Sequence, residues 1–106
     1  MRMKFYLAYE IEDGETTLLH MTEDINHPDF GLGLEPEEAA KHEGKPHVQI
    51  IYDPYGSDPT HFFGMVQVEM PLGDLLNLVH DREHWPYMEK LLTAALDAHP
   101  KAEVVA

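Results

Sequence analysis

The chain has 106 residues, of which 20 are Asp or Glu and seven are Lys or Arg, giving a formal net charge of −13 at pH 7. Its hydrophobic content of 43% is ordinary for a globular domain, so the charge is not the signature of a disordered chain, which combines high charge with few apolar residues. The negative surface disfavours direct binding to nucleic acid or anionic lipid, and the absence of Cys rules out disulfides, thiol catalysis and Cys-based zinc sites.

The first predicted element is a β-hairpin. Residues 4–11 alternate in the manner of a strand with one buried face. The residues on that face are Phe5, Leu7, Tyr9 and Ile11. Asp13-Gly14 then favours a two-residue type I′ turn, and residues 16–22 return as the second strand. The pattern leaves two alternatives for the inward side of this second strand, namely Leu18 with His20 or Leu19 with Met21.

A turn-rich loop over residues 26–34 leads into a short predicted helix over residues 35–44. Pro36 suits the first position of that helix, and Gly44 suits its end. The acids near its start complement the positive end of the helix dipole.

Two strands and two helices follow. Val48, Ile50 and Tyr52 mark a third strand, and residues 61–70 alternate as a fourth. Apolar residues then recur at helical spacing over residues 72–79 and again over 88–96, with Pro86 either separating these segments or opening the second.

The element order ββαββαα predicts an α+β fold. We expect a single domain over residues 1–106, with a flexible tail at about 101–106. The predicted architecture is a four-stranded antiparallel sheet with the C-terminal helices packed on one face. The apolar stretch near the N-terminus is too short for a signal peptide, and no run is long enough for a membrane span. These features lead us to expect a cytoplasmic protein that makes no membrane contact.

Acidic residues are the main candidates for a partner-binding surface. They surround the first hairpin turn, continue into the next loop and open the first helix. In chain order they are Glu10, Glu12, Asp13, Glu15, Glu23, Asp24, Asp29, Glu35, Glu37 and Glu38. Carboxylates presented at intervals like those of phosphates can occupy the basic groove of a nucleic-acid-binding protein. The alternative is a solvated face that maintains solubility, as in proteins adapted to high salt.

Two aromatic residues are candidates for partner contacts. Tyr55 lies in a loop rich in Pro and Gly, and Trp85 lies at a helix junction. Exposed aromatic residues often carry much of the energy of an interface. Packing within the core or a turn is the alternative for both.

Histidine is abundant, with eight residues in the chain. His80 and His84 are spaced i, i+4 and complete a His-x-x-Glu-His pattern, which on a helix can bind Zn²⁺. They are weak metal candidates, because Pro86 follows closely and an exposed helix end explains the pair better. Within or beside the strands lie His20, His47 and His61, for which satisfied, half-buried positions are the alternative to a pH-sensing pair.

The sequence favours a small, non-enzymatic inhibitor of a basic, nucleic-acid-processing protein. The single Ser lacks a nucleophile motif, so no catalytic residue and no cofactor are predicted. In size and charge the chain is similar to small acidic inhibitors encoded by phages, including DNA mimics and anti-CRISPR proteins. The alternatives are an immunity or antitoxin protein that neutralises a basic nuclease, and a small metal- or His-dependent enzyme. A homodimer is also left open.

Overall fold

The computed structural model describes residues 1–27, 31–51, 61–80 and 85–105, with residues 78–80 as backbone only. Within them the chain forms five strands and three helices in the order ββαββααβ. The strands are β1 (Arg2–Glu12), β2 (Glu15–Thr22), β3 (His47–Ile51), β4 (Phe62–Pro71) and β5 (Glu103–Val105). The helices are α1 (Pro36–His42), α2 (Leu72–His80) and α3 (Trp85–Ala98).

The strands form one sheet in the order β2-β1-β4-β3-β5. All neighbours are antiparallel except β5, which runs parallel to β3. The α+β class and the packing of α2 and α3 on the sheet are confirmed, whereas the four-stranded, fully antiparallel sheet is wrong. The extra strand lies in the segment that we expected to be a tail. Its three residues are too few to show an alternating pattern, and their pairing with the edge of β3 places them in the sheet.

The β1–β2 hairpin has the predicted turn. Asp13 and Gly14 have φ values of 52° and 81°, so both central residues adopt the positive φ that a type I′ turn requires. Glu12 and Glu15 form the last cross-strand pair before the turn.

A bulge in this hairpin decides which side of β2 faces inward. The register shifts between Ala8 and Tyr9, so that Leu18 lies opposite Tyr9 while Met21 lies opposite Leu7. Leu18 and Met21 therefore share the α2–α3 face of the sheet. Neither predicted alternative is correct, because an uninterrupted period-two pattern cannot show an inserted residue.

Both faces of the sheet are covered. On one face, α2 and α3 pack over a cluster that includes Leu7, Val66 and Leu92. On the other face, a second cluster includes Ala8 and Met65 together with apolar residues from the β2–α1 connection. The alternation in β1 predicts only one buried face. The second face is buried because the connection and α1 fold back over it, which the strand's own sequence does not encode.

Pro86 lies in the first turn of α3. Of the two alternatives that the sequence allowed, it therefore opens the second helical segment. The missing N–H of proline is harmless there, because the first amides of a helix have no partner within it.

Among the helices of the described residues, none combines the length and the hydropathy needed to cross a bilayer.

A polar row crosses the middle of the α2–α3 face. Tyr9 lies opposite Gly64, which in turn lies opposite Gln49. Because Gly64 has no side chain, the Tyr9 ring lies over β4 and its hydroxyl reaches β3. There the hydroxyl accepts a hydrogen bond from Gln49 Nε2 at 2.7 Å and donates one to His47 Nε2. His47 Nδ1 donates to the carbonyl oxygen of His99 at 2.6 Å, which leaves Nε2 as the acceptor.

Candidate functional site

The hairpin turn brings four of the predicted partner-binding acids together at one end of the sheet. Glu12 and Glu15 lie directly opposite each other, Asp13 lies between them in the turn, and all three are exposed. Glu10 is half-buried two residues earlier in β1. Like charges placed directly across two strands repel and reduce local stability. The hairpin therefore concentrates negative charge at a cost in stability. The packing of the fold does not require these exposed charges.

The Lys and Arg ion pairs in the described part of the chain lie away from this turn. They join Arg2 to Glu69 at 3.4 Å, Lys41 to Glu38 at 3.1 Å and Lys45 to Glu103 at 3.8 Å. These three cations therefore do not pair with Glu12, Asp13 or Glu15.

A groove with an apolar floor begins beside the hairpin, between β2 and α3. It has a volume of about 420 Å³. Trp85, Leu92 and Leu96 line its floor at helical spacing, which places them on one side of α3. Thr16, in the edge strand β2, forms part of the opposite wall and directly follows Glu15. One end of the groove thus lies near the hairpin turn, whereas Glu10 and Glu12 lie on the opposite face of the sheet.

Two further acids, Glu89 and Asp97, lie along the exposed rim of the groove. Trp85 is half-buried, packs against the core cluster under α2 and α3, and lines the groove. Trp85 therefore makes the core contact that the sequence offered as one alternative, and its contact with a partner stays a prediction. A groove with apolar floor and acidic rim matches the chemistry of a basic segment that carries an apolar side chain.

The acids that follow β2 lie at the far end of the hairpin. Glu15 and Thr22 begin and end β2, which at about 3.4 Å per residue separates them by roughly 24 Å. Beyond Thr22, Glu23 and Asp24 line a second hollow, of about 210 Å³, together with Pro36 of α1. Within the described residues, the predicted acids therefore form two groups and not one continuous face.

The acids of α1 have local roles. Glu35 precedes the helix, and Glu37 and Glu38 lie in its first turn, where carboxylates complement the dipole. Glu38 lies 3.1 Å from Lys41 Nζ and 3.6 Å from His42 Nε2, and its hydrogen bond to Lys41 lowers the carboxyl pKa below its usual value. These contacts support the helix-dipole interpretation of this group.

Several sequence candidates lie outside the described residues. They are Asp29, Tyr55 and His84, together with the side chain of His80. The predicted metal pair and one of the two aromatic candidates therefore stay predictions.

A group of possible metal ligands lies on the sheet face opposite α2 and α3. Glu10, Glu12 and His61 offer ligand atoms that all lie within 4.8 Å of one another. Within this group, His61 Nε2 is 3.2 Å from Glu10 Oε2. The sequence pattern did not reveal this group, because the two glutamates were assigned to the partner-binding acids and the histidine to a strand. The spacing of Glu10 and Glu12, two residues apart in a predicted strand, is the signal that could have been used.

The buried Tyr9 and His47 are core residues. Their exposed fractions are 0% and 4%, and their hydrogen bonds are satisfied within the sheet and by the His99 carbonyl. Burial raises the pKa of Tyr9 to about 12, against the opposing effect of the Gln49 hydrogen bond. Burial also lowers the pKa of His47, against the opposing effect of its hydrogen bond to His99. His47 thus corresponds to the satisfied core histidine that the sequence offered as an alternative.

Acidification is expected to destabilise the fold through His47. In the unfolded chain a histidine titrates near pH 6.5, whereas in the folded protein the pKa of His47 is lower. As the pH falls through about 6.5, the unfolded chain binds a proton that the folded protein does not, so the free energy of unfolding falls. This one group contributes at most about 1.4 kcal/mol per pH unit. Urea denaturation between about pH 5 and pH 8 measures the slope.

The His47→Gln variant should lose part of that slope, because it has no imidazole to protonate in the unfolded chain. The control is His20→Gln, which removes an exposed histidine from β2 and should keep the wild-type slope. Identical slopes in the wild type and in His47→Gln would contradict the prediction.

Comparison of the chain with protein-family models, with curated proteins and with solved structures gives no match.

Proposed function

We propose that the chain is a small, non-enzymatic binding protein that occludes a basic, nucleic-acid-processing partner. The observation that supports this proposal is the group of exposed carboxylates at the β1–β2 turn, which lies near one end of a groove with an apolar floor. The exposed carboxylates take no part in the hydrophobic core, whose two clusters lie on the faces of the sheet.

The hairpin acids supply the chemistry that Arg and Lys recognise. Guanidinium and ammonium groups that bind phosphates bind carboxylates through the same charge-assisted hydrogen bonds. A concentrated negative charge also steers a basic partner toward the surface and accelerates association at low salt. Binding at the hairpin would therefore compete with nucleic acid for the partner's basic groove.

The groove supplies the contact that resists salt. An apolar side chain of the partner would pack against Trp85, Leu92 and Leu96, while Glu89 and Asp97 contact flanking basic residues. Burial of apolar surface depends little on ionic strength, whereas the exposed ion pairs are screened. The hairpin contacts thus predict a complex that salt weakens, and the groove contact contributes a part of the affinity that salt does not screen.

An affinity pull-down from host lysate tests the proposal with two variants of equal charge. The hairpin variant combines Asp13→Asn with Glu15→Lys. The α1-end variant combines Glu35→Gln with Glu23→Lys and makes the same change in charge near α1. We expect wild type and the α1-end variant to capture one basic protein, which salt or duplex DNA releases. The hairpin variant should lose this capture by at least about tenfold. The identity of the captured protein distinguishes a nuclease from other nucleic-acid-processing proteins.

Equal losses in the two variants would show that only the total charge matters and would contradict a hairpin contact. A chelator in the buffer removes any metal ion held by Glu10, Glu12 and His61, so that bound metal does not affect the comparison. Both variants retain Glu10 and Glu12. Trp85→Ala tests the groove in the same assay. If Trp85→Ala loses capture but keeps the wild-type melting temperature, Trp85 belongs to the interface. If capture is lost and the melting temperature also falls, Trp85 belongs to the core alone.

A further inference from the structure

The group formed by Glu10, Glu12 and His61 is produced by the pairing of β1 with β4. Ile11 and Phe62 form the last pair of this register, and Glu12 and His61 are the next residues on the two sides of it. Because side chains alternate along a strand, Glu10 and Glu12 lie on the same face of the sheet as His61. Long-range strand pairing thus brings one imidazole and two carboxylates to a single point at the hairpin end.

The burial of these side chains differs from that of ordinary surface acids. The side chain of His61 is 14% exposed and that of Glu10 is 26% exposed, while Glu12 is open to solvent. Two ligands are thus held by the surrounding fold, including a contact between the His61 and Phe63 rings with centroids 5.7 Å apart. The third ligand can approach an ion from the solvent side.

The spacing of the ligand atoms suits a small divalent cation. His61 Nε2 and Glu10 Oε2 are 3.2 Å apart, and all three ligand atoms lie within 4.8 Å of one another. In a tetrahedral zinc site with bonds of about 2.0–2.2 Å, neighbouring ligand atoms lie roughly 3.4 Å apart. Rotation of the exposed Glu12 side chain is enough to bring its carboxylate to that spacing. A cation there would also relieve the repulsion between the two carboxylates.

We propose that Glu10, Glu12 and His61 bind one transition-metal ion of the Zn²⁺ class, with water completing the coordination. An imidazole nitrogen with two carboxylates favours Zn²⁺ over Mg²⁺ and Ca²⁺, which prefer ligand sets made of oxygen alone. The ion would join the end of β1 to the residue that directly precedes β4. It would also reduce the negative charge of the hairpin without involving Asp13 or Glu15.

Isothermal titration of the metal-free, untagged full chain with ZnCl₂ tests the site. We expect one Zn²⁺ per chain in the wild type, and at least about tenfold weaker binding in Glu10→Gln with Glu12→Gln and in His61→Gln. Two controls should keep the wild-type affinity. Asp13→Asn with Glu15→Gln removes the same charge from the hairpin but leaves the three ligands, and His80→Ala with His84→Ala removes the competing histidine pair.

Thermal denaturation supplies a second readout, since an ion that binds only the folded chain raises the melting temperature. Zn²⁺ should raise it in the wild type and in both controls but not in the ligand variants, and Mg²⁺ should have no such effect. The single variant Glu12→Gln, at an exposed position, provides the comparison if the double variant does not fold. The proposal is overturned if the wild type binds Zn²⁺ more weakly than about 100 µM. The proposal is also overturned if the ligand variants still bind Zn²⁺ as tightly as the wild type. The same holds if His80→Ala with His84→Ala abolishes Zn²⁺ binding.

Discussion

Gly64→Ala is expected to lower the free energy of unfolding by about 3 kcal/mol, the upper part of the range for overpacked core substitutions. Gly64 is buried in β4, a central strand, and a Cβ at this position would overlap the Tyr9 ring at Cζ and at the hydroxyl. The ring cannot move aside easily, because its hydroxyl is held by Gln49 and His47 on the next strand. Urea denaturation of wild type and variant measures the loss.

Gly73→Ala is the matched control for this substitution. Gly73 lies in α2, and nothing lies within 4 Å of the position that its Cβ would occupy. Alanine has a higher helix propensity than glycine, so this variant should be stabilised by up to about 1 kcal/mol. Combining Gly64→Ala with Tyr9→Leu should cost less than the sum of the single changes, because the smaller side chain removes the overlap. A Gly64→Ala variant as stable as the wild type would contradict the predicted clash.

Tyr9→Phe is expected to cost about 2 kcal/mol, because it leaves buried polar groups without their hydrogen-bond partner. The hydroxyl joins Gln49 Nε2 to His47 Nε2 within a core where Tyr9 is fully buried. His47 is held by the His99 carbonyl on its other nitrogen, so it cannot turn to find a new partner without breaking that bond. The volume of the ring is unchanged, so the measured loss reports the hydrogen bonds and not a cavity.

Tyr87→Phe serves as the control for the hydroxyl deletion, since Tyr87 is 52% exposed on α3. Its free energy of unfolding should match that of the wild type within about 0.5 kcal/mol. Comparable stabilities of Tyr9→Phe and Tyr87→Phe would show that the buried hydroxyl is not required. In that case water or backbone rearrangement would have to satisfy His47.

The two stability predictions concern the core, and the binding proposals concern the hairpin end of the sheet. Tyr9 links them, because it lies in β1 directly before Glu10 and points to the opposite face. Changes at Gly64 or Tyr9 are therefore expected to weaken any function of the hairpin indirectly, through loss of the folded state. Substitutions at Asp13 and Glu15 test binding without that complication, since both residues are exposed.

Elements defined by short-range sequence patterns were predicted well. Asp13-Gly14 specified the turn, because few other residue pairs adopt positive φ at both positions without strain. Pro36 and the apolar repeats of α2 and α3 located the helices through capping and periodicity, which act over a few residues. The same reasoning found the hairpin acids, since their proximity follows from the turn itself.

Features that depend on strand pairing were missed or predicted incorrectly. The bulge beside Tyr9 changed the inward face of β2, and β5 added a strand in a segment with no strand pattern. The proximity of His61 to Glu12 required β1 to pair with β4, which joins parts of the chain distant in sequence. The Tyr9–His47 hydrogen bond required both that pairing and the absence of a side chain at Gly64.

By itself, the sequence determined the acidic surface, the α+β class, the first hairpin with its turn, and the approximate positions of the helices. These properties follow from composition, backbone preference and local periodicity, which depend on neighbouring residues only. Only the tertiary structure decided the strand order, the second covered face, the separation of the acids into two groups and the meeting of His61 with Glu10 and Glu12. Strand register and pairing are set by contacts between distant segments, and a local pattern does not specify which segments will meet.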